Sequence, residues 1–293
     1  MTRNFSTQLR AWLLIAGLSG LLLGIGAMIG GGALWVFVIL TVVFNVGMYW
    51  FSDKIALKMS RAQPVSEAEA PQLYADVADL TQRAGLPVPR LYLIPNEQPN
   101  AFAAGRNPSH SAVAVTAGLL QQLPREQVRG VLAHELAHIR NRDILVMTIA
   151  AIIAGAISAI ANMLQWSLIF GGDDEDNPLG MFGALAAIIV APIAAMLLQL
   201  AVSRQREYLA DATGARILGE ARPLADALET LDRRTKEVVM PVNPATASLY
   251  VANPLAALSG RGAISLFSTH PPMEERVRRL RELDRHLTGR LAA

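Results

Sequence analysis

Cysteine is absent from the 293 residues, which excludes a disulfide framework and any metal site built on thiolates. Charge is scarce as well. Asp, Glu, Lys and Arg make up 17% of the chain, against about 25% in soluble proteins. The scarcity is local: residues 11–52, 144–172 and 177–203 carry no charge, so all 26 basic and 24 acidic residues fall outside them. The remainder has the charge density of ordinary water-facing protein, and the uncharged runs do not. A purely soluble globule is excluded, and so is a disordered chain. A net charge of +2 is too small to point to nucleic acid, and no nucleic-acid-binding signature accompanies it.

What is present in place of charge is long apolar sequence. A helix crosses a hydrocarbon core of about 30 Å with about 20 apolar residues. The first run is twice that length and is interrupted by Gly30, Gly31 and Gly32, so it reads as two spans, 11–29 and 33–51. A second span following at once argues against a cleaved signal peptide. Residues 144–170 and 179–202 supply two more, the last with Pro192 inside it, where neighbouring helices can satisfy the freed carbonyl. Basic residues flank these spans on one side only: Arg3 and Arg10, then Lys54, Lys58 and Arg61, then Arg140 and Arg142, then Arg204 and Arg206. The opposite connections are the glycine turn and an acidic loop with Asp173, Asp174, Glu175 and Asp176. Both termini and the two long charged segments are therefore expected in the cytoplasm. The chain divides into a membrane hairpin (1–52), a first cytoplasmic segment (53–143), a second membrane pair (144–203) and a second cytoplasmic segment (204–293).

In the first cytoplasmic segment, helical spacing of Leu73, Val77 and Leu80 predicts a helix over Glu67–Gly85. Strands are predicted at Arg90–Ile94, Asn100–Ala104 and Ser111–Thr116, and their short connections predict a small antiparallel meander. A helix starting at Pro124 runs through His138 and is expected to continue straight into the third span. The second segment reads as helices over Arg204–Ile217 and Pro223–Val239, and a last helix from Pro272. Residues 241–265 show no regular pattern and are the candidate for a lid.

His134-Glu135-Leu136-Ala137-His138 fits H-E-x-x-H inside a predicted helix. Positions i and i+4 share a helix face, so both imidazoles can reach one ion, and the intervening Glu lies beside its open position. A catalytic zinc needs a third protein ligand. Glu207 and Asp211, again at i and i+4, can supply that ligand and a carboxylate for the other nitrogen of a ligating histidine. The two motifs lie about 6–10 Å outside the membrane core at helical rise, so the spans can bring them together at one depth. His270, just ahead of the last helix, is a candidate oxyanion donor as a neutral imidazole. Asn100, Ala101, Phe102 and Ala103 are candidates for an edge strand that pairs with substrate backbone. His110 and His286 read as surface residues and Asp143 as a partner of Arg206. The arginines of the last helix (Arg276, Arg278, Arg279, Arg281, Arg285) are expected to face water or anionic headgroups.

These motifs stand in a specific order: Asn100-Ala101-Phe102-Ala103, then the His pair and Asn141-Arg142-Asp143. Two spans follow, then Ser203 through Asp211, then Ser268-Thr269-His270-Pro271-Pro272. In that order the chain resembles the HtpX family of bacterial membrane zinc endopeptidases, related to the CAAX prenyl proteases. The resemblance covers nearly the whole chain. It implies one zinc ion per subunit on His134, His138 and Glu207, Glu135 as general base, and Asp211 as the partner of His134. It further implies cleavage of misfolded or unassembled membrane proteins on the cytoplasmic face of the inner membrane. The expected fold is a mainly α integral membrane protein, with four transmembrane helices and a cytoplasmic zincin-like (gluzincin) α+β domain holding a small antiparallel sheet. Charges around the His pair (Arg125, Glu126, Arg129, Arg140, Arg142, Asp143) speak against an intramembrane protease. A prenyl-protein endopeptidase and a non-enzymatic membrane scaffold with a structural zinc remain as alternatives.

Overall fold

The computed structural model describes residues 32–153, 204–242, 246–258 and 271–291, with isolated positions between 16 and 30. Most of the first expected span, the fourth span, the acidic loop, His270 and parts of the lid candidate lie outside the described residues.

Helix α1 (Ala33–Met59) carries no charge before Asp53 and is apolar on every side over that stretch. Trp35, Ile39, Val43, Val46 and Trp50 stand exposed along it. It is the one described helix long and apolar enough to cross a membrane, and a helix apolar all round with so little cover has no face suited to water. Helix α2 (Pro71–Ala84) begins on a proline and stops at Gly85, whose φ of +66° is the left-handed conformation glycine adopts without a Cβ clash.

The strands are β1 (Gln63–Pro64), β2 (Arg90–Ile94), β3 (Ala101–Asn107) and β4 (His110–Thr116), in the order β1-β2-β4-β3. The sheet is mixed, which corrects the expected antiparallel meander: β3 and β4 are antiparallel, but β4 runs parallel to β2. The connection between β2 and β3 explains the difference. Gln98 N–H donates to Asn96 Oδ1 (2.9 Å) and Thr116 N–H donates to the Asn100 carbonyl (2.9 Å). These bonds carry the chain one strand outward, so β4 returns between its two predecessors and β3 becomes an edge.

Alternation along the strands separates two apolar clusters. Ala101, Ala103, Val113 and Val115 face a core shared with Val77, Leu80, Leu132, Leu136 and Leu228. Phe102, Ala104, Ala112 and Ala114 face the other way, onto Ala56 and Leu57 of α1, Met147 and Tyr250. Small side chains on this second face let helices approach the sheet closely.

Thr116 caps α3 (Ala117–Gln122), its Oγ1 accepting from Leu119 N–H at 3.1 Å. The next helix, α4 (Arg125–Asn141), is buried over nearly all of its second half. It does not run on into the third span as expected. Arg142 takes φ +59°, Asp143 follows, and a new helix α5 (Ile144–Ile153) begins. Helices α6 (Arg204–Leu218), α7 (Arg222–Glu237) and α8 (Met273–Leu291) complete the domain, with short 3-10 turns at Thr246–Leu249 and Ala256–Leu258. The approach of α6 to α4 depends on Gly214, where a Cβ would lie 3.0 Å from Ala133 C and His134 N. Glu207, Ala210, Asp211 and Gly214 share that helix face.

Candidate metal centre

His134 and His138 project from α4 with their Nε2 atoms 3.1 Å apart. Glu207 of α6 places Oε2 3.7 Å from His134 Nε2 and Oε1 3.7 Å from His138 Nε2. All three residues are buried, and their ligand atoms lie within 4.8 Å of one another. Four-coordinate zinc with bonds of 2.0–2.1 Å separates neighbouring ligand atoms by about 3.3 Å, and the observed separations bracket that edge.

The remaining imidazole nitrogens are held by carboxylates. His134 Nδ1 lies 2.9 Å from Asp211 Oδ1, and His138 Nδ1 lies 3.1 Å from both oxygens of Asp143. A carboxylate only accepts, so each histidine presents an Nδ1–H to its aspartate, which leaves Nε2 as the ligand nitrogen once the imidazole is neutral. Asp143 thus holds His138 and is not the expected partner of Arg206. The break at Arg142 makes this contact possible, because it turns the chain back so that residue 143 faces residue 138.

Behind Asp211 stands Arg276 of α8, fully buried. Its Nη2 and Nε donate to the two Asp211 oxygens at 2.7 and 2.9 Å, and its Nη1 donates to the Val251 carbonyl at 3.0 Å. Arg276 was expected on a water-facing stripe. Its helical spacing is the signal that could have found it, since Met273, Val277 and Leu280 at i−3, i+1 and i+4 are the apolar side of α8. Arg278, Arg279 and Arg281 do lie in water-exposed ion pairs, and His110 and His286 are exposed.

Electrostatics favour a cation. Glu135, Asp143, Glu207 and Asp211 are all buried here. Burial lowers the His134 pKa and keeps it neutral, as a ligand must be. Burial also acts to lower His138, but Asp143, Glu207 and Glu135 outweigh it and push His138 up to about 10. Burial pushes Glu135 up to about 8, with Glu207 adding to the rise and His138 and the Ala103 backbone opposing it. Asp211 would rise through burial, yet Arg276 holds it below the ordinary carboxylate range. A field strong enough to retain a proton on His138 is one that a divalent ion would neutralise.

Of the four strand positions expected to meet substrate, three are engaged inside the protein. Asn100 Nδ2 donates to the Ala252 carbonyl (2.8 Å), and the Ala101 carbonyl accepts from Val251 N–H (3.1 Å). Phe102 packs edge-to-face on Tyr250 at 5.1 Å, on the sheet face away from the metal ligands. Ala103 is the strand residue whose backbone reaches Glu135.

The comparisons with known proteins agree with this geometry. The profile of Peptidase family M48 matches residues 67–284. A "Protease HtpX homolog" of Pelotomaculum thermopropionicum is 54% identical over 278 residues, covering 93% of this chain and 98% of its own. One from Syntrophobacter fumaroxidans is 52% identical, covering 94% and 99%. Another, from Pyrococcus furiosus, is 50% identical, covering 94% and 95%. Among solved structures, S. mikatae Ste24p superposes with a TM-score of 0.51 at 20% identity, covering 96% of this chain and 67% of its own, which speaks for the fold. Relatives half identical from end to end, and a family profile spanning every described residue of the metal centre, place the chain in peptidase family M48 as a membrane-bound zinc metalloprotease.

Proposed function

We propose that His134, His138 and Glu207 hold the zinc ion and that Glu135 is the general base of peptide-bond hydrolysis. The observation that carries the assignment is the convergence of two Nε2 atoms and one carboxylate from separate helices, each imidazole being fixed from behind by its own aspartate. When bound, zinc supplies Lewis acidity, polarising the scissile carbonyl and drawing the pKa of water towards ~7. Glu135, next in sequence to His134, accepts the proton at its carboxylate and passes it to the departing amine. Asp211 and Asp143 keep the imidazoles in the tautomer that leaves Nε2 unprotonated. The Ala103 backbone, beside Glu135, offers an extended substrate a partner on the edge of β3, while Ala101 stays closed by Val251.

The charge asymmetry around the apolar runs supports four spans with both termini in the cytoplasm, and the four-part division at residues 52, 143 and 203. Cleavage then takes place at the cytoplasmic face, on misfolded or unassembled membrane proteins whose loops enter the site extended. The decisive comparison is wild type against Glu135→Gln, assayed for zinc and for cleavage of an unfolded membrane-protein client. The variant is expected to keep about one zinc per chain while cleavage falls by roughly 10²–10⁴-fold. A variant that still cleaves at the wild-type rate overturns the role of Glu135. A farnesylated C-terminal peptide cut faster than the unfolded client favours the prenyl-protein alternative.

A further inference from the structure

Where α1 passes from exposed apolar residues to charged ones, a pocket of about 610 Å³ opens between this helix and the tip of the β3–β4 hairpin. It lies apart from the metal centre, and no step of hydrolysis uses it. The exposed apolar residues of α1 run from Leu34 to Phe51, about 26 Å at helical rise, close to the thickness of a hydrocarbon core. If α1 spans the membrane, as proposed above, the pocket stands at headgroup level.

Its polar lining is cationic. Lys54, Arg90 and Arg106 face it against one carboxylate, Asp53, which is paired with Arg90. The Arg106 guanidinium lies 4.4 Å from the centre of the Trp50 ring and donates through Nη1 to the Trp50 carbonyl at 3.3 Å. Lys54 Nζ lies 5.5 Å from the centre of the Phe51 ring. Cation–π contacts of this kind hold the charges in place beside the aromatics, at the depth where Trp is enriched in membrane proteins. Ser109 adds a hydroxyl to the rim. The guanidinium fork matches phosphate oxygens, and the volume suits a small polar ligand. A zwitterionic headgroup would bring a second cation into a pocket already rich in them.

We propose that this pocket binds the phosphate of an anionic glycerophospholipid, with Lys54 and Arg106 on the phosphate and Trp50 beside the glycerol. The proposal rests on the reading of α1 as a membrane span. It is tested on the full chain in detergent, stripped of lipid and titrated with short-chain phosphatidylglycerol, short-chain phosphatidylcholine or inorganic phosphate, with bound molecules counted by native mass spectrometry.

One phosphatidylglycerol per chain is expected, bound at least about tenfold more tightly than phosphatidylcholine. The pair Lys54→Gln and Arg106→Gln is expected to weaken it roughly thirtyfold, about fivefold for each charge removed. Equal binding of the two lipids, or a double variant that binds like wild type, overturns the proposal. Inorganic phosphate binding as tightly as phosphatidylglycerol assigns the site to free phosphate and overturns the lipid. If the double variant loses its zinc and fold, the wild-type comparison of the three ligands decides alone. Resistance of vesicle-bound chain to an alkaline wash tests the span separately, so lost selectivity in an inserted protein counts against the pocket alone.

Discussion

Arg276 shows how one charge can belong to a protein's interior. Its guanidinium neutralises Asp211, which holds His134, and its third donor ties the Val251 carbonyl to the same unit. Removing it leaves a buried carboxylate without its counter-ion. Arg276→Ala is expected to cost about 3–5 kcal/mol of stability and to weaken zinc about 10–100-fold. Thermal melting and competition with a chelator measure the two effects. Arg276→Lys, which keeps the charge but loses the two-pronged contact, should recover part of both. A second expectation concerns protons. In the metal-free chain His138 at about 10 and Glu135 at about 8 are both protonated at pH 7, and a ligating imidazole must be neutral at Nε2. Zinc binding at pH 7 should therefore expel between one and two protons, and affinity should rise with pH up to those values and fall below them. Calorimetric titration in buffers of different ionisation enthalpy reads the number directly, and a buffer-independent heat would contradict it.

At the scale of elements, the break between α4 and α5 was not legible. Arg at a left-handed position is uncommon, so nothing in Asn141-Arg142-Asp143 announces a turn, and periodicity favoured one continuous rod. The turn is held by its own last residue folding back on α4: Asp143 N–H donates to the His138 carbonyl at 3.3 Å while its side chain holds the His138 ring. Arg142→Gly should leave zinc content and melting unchanged or slightly improved, since glycine takes φ +59° freely. Arg142→Val should cost about 1–2 kcal/mol and weaken zinc through the misplaced Asp143, as melting and chelator competition would show. Two strand positions were legible, one from the prolines that bracket Arg90–Ile94 and one from the alternation of Ala and Val over Ser111–Thr116. Their order was not, because side-chain alternation is the same whichever neighbour a strand pairs with.

Across the whole molecule, the sheet joins α1, the helix proposed above to span the membrane, to the helices that carry the metal ligands. One face packs on the core of α2, α4 and α7, and the other on α1 and α5. The two are not separable modules. A chain beginning at residue 61 lacks Ala56 and Leu57 and uncovers Phe102, Ala104, Ala112 and Ala114. It is expected to associate in detergent-free buffer and to lose cooperative unfolding, as sedimentation and melting would show. A monodisperse truncation that still binds zinc would mean that this face needs no helix against it.

Local sequence already carries the candidate metal site. The His pair and its glutamate lie within one helix, and Glu207 and Asp211 within another, so the helical repeat alone puts each set on a single face. It also determined the apolar segments, since composition is a local property. What stands behind the ligands comes from the packing of the folded chain. Arg276 lies 65 residues from Asp211, and the contact of Asp143 with His138 needs a backbone turn that its own residues disfavour. Such contacts depend on how helices pack on a mixed sheet, and packing is settled by the whole chain at once rather than by any segment of it.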